Sequence, residues 1–216
     1  MKNGESHVKG RKIIMNYMKI DDCDMVNGVG CRVVLWVSGC GHHCPSCHNP
    51  ETWNPKNGKS FTQEAEDYFF KCLDSDYIDG ATYTGGDPLM PYNVLEIKRL
   101  MKKQRELYPN KTIWCWSGYT YEYLLTHNRE VLQYIDVLID GRFEIDKFNP
   151  NLKWRGSANQ RVIDVQSSLA TDSLVLHADN NTVDKFYPEK AFDPCEGMTA
   201  EEIKEKYILN VCDEEL

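Results

Sequence analysis

From about residue 31 the chain alternates short apolar runs with segments of helical period. The runs cover 33–37, 81–84, 112–116, 135–139 and 161–165, each rich in β-branched, aromatic or other apolar residues. That pattern predicts strands covered on both faces. Between them, Ala65, Tyr68, Phe69, Cys72 and Leu73 follow one helical stripe, and Val94, Ile97, Leu100, Met101 and Leu107 another. Thr62 is placed to cap the first helix, with Glu64 and Glu66 in its first turn, and Pro91 suits the start of the second. Strand followed by helix, repeated, predicts an α/β fold with mainly parallel strands, as an open sheet or partial (βα) barrel.

The unusual motifs directly follow these runs: Ser38-Gly39-Cys40, Gly85-Gly86-Asp87-Pro88, Ser117-Gly118-Tyr119 and Asp140-Gly141. Parallel strands gather their carboxyl ends on one side of the sheet, where such folds place their chemistry. Motifs distant in sequence are therefore expected to meet at one site.

Composition narrows the picture. Over 216 residues, 33 acidic side chains outnumber 25 Lys and Arg, a field that repels phosphate backbones and argues against nucleic acid as the main partner. No apolar run approaches the length that crosses a bilayer, and the amino terminus lacks the apolar stretch of a signal peptide, so no membrane partner and a cytoplasmic protein are expected. In that reducing compartment nine cysteines, an odd number, argue against a disulfide framework. Residues 1–14 are expected to form a disordered polar leader. Cys23, Cys31, Cys72 and Cys115 are most simply small buried hydrophobes, and Cys195 and Cys212 pair only if the tail folds back.

Three cysteines stand apart. Cys40, Cys44 and Cys47 are separated by three and then two residues in a loop containing Gly39, Gly41 and Pro45. Such spacing lets one loop wrap its thiolates around one metal centre. A zinc-binding interaction module is one reading, with His42, His43 or His48 as fourth ligand; structural zinc usually draws a second ligand pair from elsewhere, and the other cysteines are scattered. The other reading is a 4Fe-4S cluster held by three thiolates, with one iron open to a small molecule.

With this Cys-x3-Cys-x2-Cys loop and Gly85-Gly86-Asp87-Pro88 after a strand, the chain resembles the radical S-adenosylmethionine superfamily. Within it, residues from about 15 to 169 look like an activase of a glycyl-radical enzyme, most of all that of anaerobic (class III) ribonucleotide reductase. The landmarks are Asn27-Gly28-Val29-Gly30 with Arg32, Cys47-His48-Asn49-Pro50-Glu51-Thr52-Trp53, Trp116-Ser117-Gly118-Tyr119, the stretch 136–141, and Trp154-Arg155-Gly156-Ser157 leading to Asn159-Gln160-Arg161. The cysteine loop and Thr52-Trp53 also fit the pyruvate formate-lyase type of activase. Val29 stands where that pattern usually has proline, and Asp87 where much of the superfamily has glutamate.

The resemblance implies a partial (βα) barrel and a chemistry. Cys40, Cys44 and Cys47 hold the cluster; Ser46, Cys47, His48, Gly85, Gly86, Asp87 and Ser117 surround S-adenosylmethionine, the Asp87 carboxylate meeting its ammonium. An external one-electron donor such as a flavodoxin or ferredoxin reduces the cluster, S-adenosylmethionine is cleaved, and hydrogen is abstracted from a glycine of the reductase large subunit. No further catalytic side chain is implied. Ser117 and Asp140 equally suit caps or turns; Arg32 and Arg155 suit surface ion pairs; His42 and His43 shape the loop; Trp53, Trp114, Trp116 and Trp154 pack.

Beyond residue 169, twelve acidic side chains face four lysines, which accounts for the whole formal net charge of −8. The acidity thus belongs to a C-terminal extension, 170–216, expected to tune docking to a basic surface of the reductase.

Overall fold

The computed structural model describes residues 15–181. The expected leader, most of the acidic extension, Cys195 and Cys212 lie outside the described residues.

The run at 33–37 becomes strand β2 (Arg32–Val37), and those at 81–84 and 112–116 become β4 (Gly80–Gly85) and β5 (Thr112–Trp116). The fourth run gives β6 (Val137–Asp140), starting two residues late because Ile135 still closes a turn onto Leu132. These four strands are parallel neighbours, with Val37 opposite Gly85, Tyr83 opposite Cys115 and Trp116 opposite Ile139. The fifth run, β7 (Arg161–Asp164), pairs antiparallel with β6.

Two further strands lie on the other side. β1 (Asn16–Asp24) and the two-residue β3 (Lys59–Ser60) are antiparallel, giving the order β3-β1-β2-β4-β5-β6-β7. The fold is therefore mixed α/β with a seven-stranded sheet that is parallel only at its centre, where a mainly parallel sheet was expected. β1 escaped sequence reading because its Lys19, Asp21, Asp22 and Asp24 interrupt any apolar run.

Helices fill the crossovers: α1 (Gln63–Leu73), α2 (Val94–Leu107), and α3 (Tyr121–His127) with the single turn α4 (Arg129–Leu132). Because β2, β4, β5 and β6 add in one direction, crossovers of one hand lay α1, α2, α3 and α4 on the same face. The buried side chains agree: Phe69, Ile97, Leu124 and Val131 from the helices share one core with Val33, Leu35, Tyr83, Ile113 and Leu138 from alternate strand positions. Thr62 caps α1 as expected, accepting a hydrogen bond from the Ala65 N–H. Pro91 instead lies in the turn before α2, whose cap position is Asn93.

Among the described residues no helix covers the opposite face. It presents Arg32, Thr82, Trp114 and Trp116 to loops, with Trp154 packed against Trp114. Arg32 is fully buried, which overturns its expected surface ion pair. Its guanidinium donates to the carbonyls of Val29, Ala81 and Thr112 and the hydroxyls of Thr82 and Thr112, and lies over the Trp114 ring. Burial pulls its pKa down to about 10, so it stays charged at neutral pH. Arg155 likewise binds the backbone oxygens of Gln160 and Asn180.

The boundary expected after residue 169 falls inside α5 (Val165–Thr171). The following segment runs along β7, with the His177 N–H on the Val162 carbonyl and Asn180 Oδ1 accepting from the Val162 N–H. Among the described residues no helix is long and apolar enough to cross a membrane.

Candidate functional site

The cysteine loop springs from the carboxyl end of β2. Two hydrogen bonds close its base, from the Gly39 N–H to the Thr52 carbonyl (2.6 Å) and from the Cys40 N–H to the Trp53 carbonyl (2.9 Å). Gly39 has φ 97°, and a Cβ there would lie 2.3 Å from the Tyr92 ring, so only glycine fits. Within the loop His43 and Ser46 adopt left-handed backbone (φ 46° and 57°), and the Cys47 N–H closes a turn onto the Cys44 carbonyl. His43 stacks on Trp53.

This winding leaves Cys40, Cys44 and Cys47 half-buried, without disulfide partners, on the wall of one open cavity of about 460 Å³. The Asn49 N–H points at Cys47 Sγ, 3.4 Å away. Burial pushes the Cys40 thiol up to about 12 and also raises Cys47. Thiols held protonated by burial are released by a metal that takes them as thiolates. Among the described residues no three His, Cys, Asp or Glu side chains gather as ligands of a single metal ion. Three soft, unpaired sulfurs around a roomy cavity, one already receiving a backbone N–H, fit an iron-sulfur cluster.

The other motifs meet the same cavity. Thr84, Gly85, Gly86 and Asp87 arrive from β4, Trp116, Ser117 and Gly118 from β5, and Gly141 from β6. Gly85, which ends β4, and Gly86 after it allow this turn to lie against the root of the cysteine loop. The Gly86 N–H binds the Val37 carbonyl and the Asp87 N–H that of Gly39, while a Cβ on Gly86 would sit 2.5 Å from the Gly39 oxygen.

Asp87 is 1% exposed, and its carboxylate is enclosed by protein donors. The Leu89 N–H (2.8 Å) reaches Oδ1, the Gly118 N–H (2.9 Å) and His42 Nε2 (2.8 Å) reach Oδ2, and the Ser117 hydroxyl bridges both oxygens at 3.1 and 3.0 Å. Cys47 and His48 line the cavity, His48 exposed beside Phe143. Ser46 does not line it; its hydroxyl is buried without a partner. Asp140 is buried beneath, paired with Arg161 and accepting from the Tyr121 N–H, so it secures β6 to α3 and β7.

Sequence reading missed Val26, Trp36, Arg142 and Phe143 on the wall and did not mark Asn27 or Gln160, inside their landmarks, as facing it. Gln160 ties the loop before β7 together, accepting from the Gly156 and Ser157 N–H groups and donating to the Gly141 carbonyl. The landmark run from Trp154 to Arg161 carried that signal, without indicating which residue faces the cavity. Cys23 in β1 and Cys31, the residue before β2, form a disulfide, their Cα atoms 5.6 Å apart, where two buried hydrophobes were expected. Cys72 is half-buried, and Cys115 is the one fully buried cysteine among the described residues.

Comparison with known proteins agrees with this arrangement. A family profile described as a 4Fe-4S single cluster domain matches residues 26–163. The anaerobic ribonucleoside-triphosphate reductase-activating protein of Enterobacteria phage T4 is 48% identical over 149 residues, covering 68% of this chain and 93% of the phage protein. Proteins of the same name from Escherichia coli (strain K12) and Vibrio cholerae serotype O1 are each 43% identical, over 150 and 148 residues, covering 68% of this chain and 97% and 96% of theirs.

Proposed function

The chain belongs to the family of anaerobic ribonucleoside-triphosphate reductase-activating proteins and carries its 4Fe-4S cluster domain, and from that premise we propose that it is a radical S-adenosylmethionine enzyme that installs a glycyl radical on the large subunit of anaerobic ribonucleotide reductase. When bound, the cluster and S-adenosylmethionine would supply one-electron reductive cleavage of the sulfonium and abstraction of a hydrogen atom from a glycine α-carbon. The electron comes from an external donor of the flavodoxin or ferredoxin kind, and the reaction runs in the cytoplasm. The sheet with its helices on one face is, in this reading, a partial barrel of radical S-adenosylmethionine type.

The chain's own residues supply position and shelter. Cys40, Cys44 and Cys47 would hold the cluster as thiolates. Gly85, Gly86 and Asp87 form the wall for the methionyl end, with Ser117 behind Asp87, and Cys47 and His48 form the wall for the adenine, the left-handed backbone at Ser46 turning the loop into them. The open cavity, with the exposed Val26, His48 and Arg142 in its lining, would admit a protein loop. One observation carries the reading: three unpaired thiols and the Gly-Gly-Asp turn, far apart in sequence, face the same cavity.

The test is anaerobic reconstitution with iron and sulfide, reduction, and incubation with S-adenosylmethionine and the reductase. The expected result is 5'-deoxyadenosine with a glycyl radical signal by electron paramagnetic resonance. A chain that takes up no reducible cluster, or a loaded chain that yields no radical on the reductase, overturns the reading.

A further inference from the structure

Asp87 has no free acceptor position. A carboxylate offers about four lone-pair sites, and here four protein groups occupy them: the N–H groups of Leu89 and Gly118, the Ser117 hydroxyl and His42 Nε2. With 1% exposure the carboxylate has no open side for an ammonium group. His42 is the member of this set that comes from the cysteine loop, between Cys40 and Cys44. Its ring is held in a fitted slot: its edge meets Tyr119 with centroids 4.7 Å apart, and a Cβ on Gly118 would lie 2.3 Å from its Cδ2. The backbone carbonyl of His42 accepts from Arg142, fixing the same residue from the other side of the cavity. The shorter reach of aspartate at position 87 is met by the imidazole.

We propose that His42 is a positioning residue of the S-adenosylmethionine site: through Asp87 it locks the cysteine loop to the Gly85–Pro88 turn and the Ser117-Gly118 turn, and Asp87 is this lock's anchor, not the counter-ion of the methionyl ammonium. The ammonium then meets backbone carbonyls of the glycine turn. The claim rests on the S-adenosylmethionine reading above and deepens it. Its physical content is a coupling: removing either partner frees the same two loops, so the losses overlap.

Three variants test it: His42→Leu fills the slot without a donor, His42→Gln keeps a donor at similar reach, and Asp87→Asn keeps the shape and removes the charge. In the metal-free chain, hydrogen exchange at the Leu89 and Gly118 amides is expected to quicken in His42→Leu and to return toward wild type in His42→Gln. In the reconstituted, reduced chain, equilibrium dialysis is expected to show S-adenosylmethionine bound roughly tenfold more weakly by His42→Leu, the scale of one hydrogen bond to a charged group. Asp87→Asn should match it, and the double variant should be no weaker than either. Unchanged exchange in His42→Leu overturns the lock. So does weakened binding in Asp87→Asn alone, or losses that multiply in the double variant, because Asp87 then contacts the ammonium independently. Failure of the loaded wild-type chain to bind S-adenosylmethionine refutes the functional reading itself, and the exchange result still decides whether the lock exists.

Discussion

Two cavities of similar size lie at opposite ends of the parallel strands. The one at the carboxyl ends measures about 460 Å³ and the one at the amino ends about 540 Å³, the latter lined by Asp79, Asp136, Asp164, Trp114 and His177. Volume and acidity alone would favour the second. Its carboxylates, however, have structural tasks. Asp79 accepts from the Cys31 N–H, Asp136 from the Ile113 N–H and pairs with Arg105, and Asp164 caps α5 through the Ser167 N–H. At the other end, three thiols remain unpaired beside glycine turns that let loops from three strands meet. Chemistry is marked by side chains the fold does not use, and the amino end has used its own to hold the sheet together.

The largest expected effect belongs to the cysteines. Replacing any one of Cys40, Cys44 or Cys47 by alanine should remove the reducible cluster from the reconstituted chain and abolish the glycyl radical, while Asp79→Asn or Asp164→Asn retains both. Iron analysis and electron paramagnetic resonance check this, and cluster loss on changing either aspartate would erase the contrast. Next comes Arg32→Met, which strands buried carbonyl and hydroxyl partners and should cost roughly 2–4 kcal/mol. Denaturant unfolding measures that cost, and the folded fraction should still take up iron as wild type does.

A smaller effect comes from the helix layer, remote from both cavities. Burial alone would raise the Glu66 carboxyl, but hydrogen bonds and charge from Arg99 and Lys103 outweigh it and hold its pKa below the ordinary value. A carboxyl depressed in the folded state contributes its full stabilisation above its unfolded pKa, about 4.3, and loses it as pH falls through the lowered value. Glu66→Gln should therefore destabilise by about 1–2 kcal/mol near neutral pH, with the difference shrinking below about pH 4. Thermal melts across that window would show the trend, and a penalty independent of pH would contradict it. The smallest effect is Asp164→Asn itself, about 1 kcal/mol or less since asparagine still caps, seen as a slightly lower melting temperature with cluster content intact.

The sequence carried the centre of the fold better than its edges. Runs at 33–37, 81–84 and 112–116 are legible because strands buried on both faces are continuously apolar. β1 is partly exposed and acidic, so neither it nor the disulfide it brings to Cys31 could be read. The site was legible wherever one local motif suffices, as for the three cysteines and the glycine turn. It was not legible where the task depends on a distant partner. His42 reads as a loop residue until Asp87, forty-five positions on, is placed beside it, and Arg32 reads as a surface cation until five acceptors close around it.

In the function proposed above, the carboxyl-end cavity holds both the cluster and S-adenosylmethionine. Electron-nuclear double resonance on the reduced, reconstituted chain with S-adenosylmethionine carrying a nitrogen-15 amino group tests it most directly. A coupling between that nitrogen and the cluster spin is expected, lost together with the cluster in Cys44→Ala. A cluster signal that S-adenosylmethionine leaves unchanged, with no nitrogen coupling, would contradict it.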